Sequence, residues 1–155
     1  MFDGKQIKQI ILLTKNFERI SKEIIPNFNK IEQPFYGFNV KFEVGITFWQ
    51  TNILRNFDYE LQNKNVGMYG EKKEIIFQDL INKNNHHAFL DIFEDPYNGE
   101  GYMAVKEWEK FIEDPKINGH LIERVIKHNR ACLLKEWYIL SHRKPFSAEK
   151  IEIKW

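Results

Sequence analysis

His120, Arg124, His128 and Cys132 stand four residues apart, a spacing that stacks side chains along one face of a helix. A thiol, two imidazoles and a guanidinium are raw material for metal binding, nucleophilic catalysis or phosphate chemistry. Each reading meets an obstacle in the sequence itself. His128 and Cys132 suit two ligands of one metal, yet a structural zinc takes four ligands and the chain has a single cysteine. Arg124, in the same row, repels a cation. Cys132 precedes Leu133 and Leu134 and sits far from any helix N-terminus that would acidify a thiol, so its surroundings read as core. His86 and His87 are neighbours, and on a helix their side chains diverge by about 100°. The row is expected to be a partly buried polar seam, with no metal and no cofactor.

Arg124 and His128 are also the pair that a nucleic-acid-processing enzyme would use. Only three residues separate them, one short of the minimum in helical nucleases of the HEPN type, and His128-Asn129 matches only the middle of an HNH motif. Phosphates would fall to the basic end around His142, Arg143 and Lys144, with Lys127 and Arg130. A net charge of +1 and the lack of a base-stacking motif make direct nucleic-acid binding the weaker expectation. Gly67 and Gly70 lack the Lys-Ser or Lys-Thr of a phosphate loop. The stretch from Asp91 to Gly101 has the composition of a calcium loop, but Pro96 and Val105 fall where oxygen ligands are needed.

Charge is distributed unevenly. Between Asp91 and Asp114 eight acids face two bases, a net of −6, and from Pro115 to Lys144 seven bases face two acids, a net of +5. Such asymmetry points to charged partners or to mutual attraction within the fold. Glu94, Asp95, Tyr97, Glu100, Tyr102, Glu107, Glu109, Glu113 and Asp114 together form an acidic segment interleaved with aromatic rings. Displayed outward, it can stand in for phosphates and bases and block a basic cleft.

These residues need elements to hold them. A chain of 155 residues reads as one α+β domain with about five helices and a small, mostly antiparallel sheet. Phe38, Val40, Phe42, Val44, Ile46 and Phe48 alternate with polar or small residues, which predicts a long strand over 38–48. A second strand is expected near 57–61 and a C-terminal one over 151–155, where Ile151, Ile153 and Trp155 alternate with charges. Asp3 and Gln6 form a capping box for a first helix that Pro26 ends. Further helices are expected over 71–83, around Phe89 to Phe93, over 103–113 and over 118–140, the last broad enough in its apolar surface to be central. Pro96, Asn98, Gly99 and Gly101 mark a loop.

One cysteine fits a reducing compartment, and no apolar stretch reaches the roughly 20 residues that span a bilayer. The expected location is the cytoplasm. Abundant Lys and Asn with scarce Ala match an AT-rich bacterial or phage genome. With no catalytic constellation, the sequence points to a binding protein rather than an enzyme. The most specific form is an immunity protein, or antitoxin, whose acidic surface occludes the active site of a cognate toxin such as a nuclease. The alternative is the nucleic-acid enzyme or regulator built on Arg124, His128 and the 142–144 end.

Overall fold

The computed structural model describes residues 17–152. The predicted start of the first helix (3–16) and the tip of the predicted C-terminal strand (153–155) lie outside them. The fold is α+β, and the described chain gathers into two compact units, one of residues 17–71 with 143–152 and one spanning Lys72–His142.

The first unit holds α1 (Phe17–Phe28), β1 (Tyr36–Gly37), α2 (Val40–Thr51), β2 (Tyr59–Glu60) and β3 (Phe146–Ser147). Its sheet is mixed: β1 pairs with β2 in parallel, and β2 pairs with β3 antiparallel. Tyr36 and Tyr59, opposite each other, stack at 5.1 Å. The second strand is thus confined to two residues of the expected 57–61. No strand forms at Ile151 or Glu152, where Ile151 instead exchanges hydrogen bonds with the Asn56 side chain. Pro26 does not end α1 but lies inside it, two residues before its last residue, Phe28.

The predicted long strand over 38–48 is a helix. Asn39 caps it through a side-chain oxygen that accepts from Phe42 N at 3.3 Å, and Glu60 accepts from Val40 N at 3.0 Å. At the far end Asn52 takes a left-handed conformation, φ 56°, and its N–H reaches Phe48 O. The apolar period of two therefore resolves into two separate faces. Val40 and Val44, one turn apart, are 1% and 2% exposed, whereas Phe42, Ile46 and Trp49 are 63%, 48% and 78% exposed. Alternation placed apolar residues all round a helix instead of on one side of a strand. Gly37 lies against the Glu43 carboxylate, whose Oε1 accepts from Phe38 N at 3.0 Å, so a Cβ there would force that side chain to shift.

The second unit is helical: α3 (Lys73–Asn84), a short 3-10 helix (His87–Phe93), α4 (Gly101–Glu113) and α5 (Gly119–His142). These boundaries fall within a few residues of expectation. Asn85, in the left-handed region at φ 56°, ends α3. Helix α5 packs against α3, the 3-10 helix and α4. Its inner row is Leu121, Val125, His128, Ala131, Lys135, Tyr138 and Ile139. Phe77, Phe93 and Tyr138 form a ring triangle at 4.7, 5.4 and 5.6 Å, each buried ring contributing about 1.5–3 kcal/mol. Tyr97, Ala104 and Val125 form a core cluster with Met103, Trp108 and Ile122 against it.

Candidate functional site

The loop between the 3-10 helix and α4 folds around the carboxylate of Asp95. Its Oδ1 accepts from Tyr97 N at 2.9 Å and its Oδ2 from Gly99 N at 2.8 Å. Gly99 has φ 85°, and a Cβ there would overlap the Glu74 side chain, so glycine is the residue that this turn admits. The carboxylate so fixed faces α5, where His128 Nδ1 lies 2.8 Å from Oδ1 and Lys135 Nζ 3.8 Å from Oδ2. Burial alone would raise the Asp95 carboxyl, but the His128 hydrogen bond and the Tyr97 and Gly99 N–H groups outweigh it and hold the group below the usual carboxylate range. An ionised Asp95 only accepts, so Nδ1 carries the proton and Nε2 is left facing Cys132 Sγ at 3.7 Å.

A second buried knot adjoins the first. Tyr97 OH donates to Glu107 Oε2 at 2.6 Å, and Arg124 donates to Glu107 Oε1 at 2.7 Å. The Tyr97 ring lies between partners, 5.2 Å from the His128 ring and 5.1 Å from the Arg124 guanidinium. Burial, then the Glu107 hydrogen bond, push the Tyr97 hydroxyl well above the ordinary tyrosine value, so it stays a donor.

The nine residues of the expected acidic surface therefore divide. Asp95, Tyr97 and Glu107 are 8%, 6% and 8% exposed and are held internally by His128, Lys135 and Arg124. Helix α5 neutralises them, as the charge asymmetry allows, so these three are not part of an outward surface. Glu94 pairs with Lys127 at 2.5 Å, but both side chains are over half exposed and such a pair contributes little. Asp114 caps the turn after α4, accepting from Lys116 N and Ile117 N. Glu100 and Tyr102 are exposed and bonded to each other. Glu109 and Glu113 are exposed and, among the described residues, enter no ion pair.

Of the alternative pair, Arg124 donates to Glu107 while its side chain stays 47% exposed, and His128 is 6% exposed and bonded to Asp95. Arg143 is paired with Glu71 at 2.6 Å. His120, at the top of the row, is exposed and takes no part in the cluster. The sequence did not single out Lys135, although it falls seven residues beyond His128, two helical turns down the same face.

Asp95, His128 and Cys132 place a carboxylate oxygen, an imidazole nitrogen and a sulfur within 4.8 Å of one another. Both Asp95 oxygens are already filled by N–H donors, and the Lys135 ammonium stands beside them. That donor set fits an orienting carboxylate better than a metal ligand. Burial raises the Cys132 thiol above its ordinary value, with Lys73 and Lys135 pulling the other way. No protein-family model, curated protein or solved structure matches this chain. Among the described residues no helix is long and apolar enough to cross a membrane.

Proposed function

We propose that the protein is a binding protein of the immunity or antitoxin kind, acting in the cytoplasm, which occludes the basic active site of a cognate toxin such as a nuclease. The observation that supports this reading is the outward ridge of α4. Tyr102, Val105, Glu109 and Glu113 recur at spacings of three and four, so they share one face of the helix. Tyr102 and Val105 are each 57% exposed, and the two glutamates beyond them are exposed and, among the described residues, enter no ion pair. Lys106 lies across the Tyr102 ring at 5.2 Å. An aromatic anchor beside unpaired carboxylates complements a cationic cleft, speeding association and selecting against acidic partners. The docking surface so defined keeps Glu100, Tyr102, Glu109 and Glu113 of the nine and adds Val105.

The test is growth rescue. The toxin candidate encoded by an adjacent reading frame is expressed with this protein, and the purified pair is measured by calorimetry. Wild type restores growth, whereas the double variant Glu109→Lys/Glu113→Lys and Tyr102→Ala lose rescue and bind at least about tenfold more weakly, as hot-spot truncations do. Rescue by the double reversal at the wild-type level overturns the reading.

A further inference from the structure

Cys132, His128 and Asp95 form a chain of contacts in the order nucleophile, base and orienter, and we propose that Cys132 is an acyl-accepting thiol, deprotonated by His128 as it attacks an activated ester or thioester. The geometry is that of a nucleophile with its base. Sγ lies 3.7 Å from Nε2, and the opposite ring nitrogen is held 2.8 Å from Asp95 Oδ1. Asp95 cannot turn away, because two backbone N–H groups and the ring all hold it. It is a positioning residue that fixes the tautomer with Nε2 free to accept a proton.

The thiol is only partly buried, and a second observation concerns access. Gly101, exposed at the start of α4, is the residue that faces Nε2. A Cβ built there would meet His128 Nε2 at 3.6 Å and nothing else within 4 Å. Although His128 is 6% exposed overall, Gly101 sets no side chain against that edge of the imidazole, where a leaving group would have to stand.

The step balances without a further reagent. The Cys132 sulfur bonds to the acyl carbon, the S–H proton passes to Nε2, and the bond from the acyl carbon to the leaving oxygen or sulfur breaks. The proton on Nε2 then neutralises the leaving group, and the product is an S-acyl cysteine. The charged groups around the thiol are Lys73, Glu136, Asp95 and Lys135. Because burial dominates them, the thiol is protonated at neutral pH, and its reactivity there depends on the base instead of on a standing thiolate.

The test uses the full chain and p-nitrophenyl acetate as the acyl donor, following nitrophenolate release and the mass of the intact protein. Wild type at pH 7 should show a stoichiometric burst with acylation at Cys132, lost in Cys132→Ser. Asp95→Asn should slow the burst by on the order of 100-fold, within the range of a positioned general base. Because Asp95→Asn also loosens the loop, Gly101→Ala is the deciding variant. Its Cβ lies in ordinary contact with Nε2 at 3.6 Å, so thermal stability should change little while acylation falls at least about tenfold. A burst that is absent in the wild type, or equal in wild type and in Gly101→Ala, overturns the proposal.

Discussion

Helix α4 carries two sets of carboxylates with opposite fates. Glu107 points inward, is bonded to Tyr97 and Arg124, and is 8% exposed. Glu109 and Glu113, two and six residues further on, lie on the opposite side in water. All three contribute equally to the negative charge of the segment, yet one helps hold α4 to α5 and the other two face water. Net charge over a window says how much charge there is. The helical period says where it goes, and a shift of two residues turns a side chain by about 200°.

That division can be broken most forcefully at Glu107. Glu107→Lys buries a cation against Arg124 and should cost about 3–5 kcal/mol, the range for destroying a buried pair, read as a shift in the denaturant midpoint. Asp95→Asn should cost about 2 kcal/mol, since a neutral amide accepts more weakly from Tyr97 N, Gly99 N and His128. This variant also sharpens the electrostatic half of the comparison. The folded Asp95 carboxyl lies below its unfolded value, so its stabilisation is complete above the unfolded value of about 4 and is lost as pH falls through the folded one. Wild-type stability should therefore decline with acid over that window, and Asp95→Asn should remove that part of the slope. Tyr97→Phe, which leaves Glu107 with Arg124 alone, should cost about 1.5 kcal/mol by thermal melting. Glu109→Lys and Glu113→Lys should stay within about 0.5 kcal/mol of wild type. If they destabilise as Glu107→Lys does, the two faces are not distinct.

The helices of the second unit were legible because their punctuation is local. Asn84-Asn85, Pro115 and the Asp-Pro-Tyr-Asn-Gly turn announce where α3, α4 and α5 stop and start. The polar row on α5 was legible as a face for the same reason. Its partners were not, because Asp95 is 33 residues from His128 and Glu107 is 17 from Arg124. Nothing in a linear reading says which acid meets which base. The strand expected over 38–48 fails for a different cause. Its alternation is a real feature, but Asn39 and Asn52 bracket the segment with a helix cap and a left-handed stop, and that evidence outranks the period. Of the two-residue strands, β2 falls inside the expected 57–61, whereas β1 and β3 leave no alternation long enough to detect.

The back-to-back faces of α2 set what substitutions that helix will bear. A saturation scan from Val40 to Thr51 would trace tolerance rising and falling about every 3.6 residues, although hydropathy along the same stretch beats every two. Valine-to-serine changes would be purged at 40 and 44, while polar replacements of Phe42, Ile46 and Trp49 would survive selection for folding alone. The fitness record of this segment would thus disclose a helix that its own letters conceal.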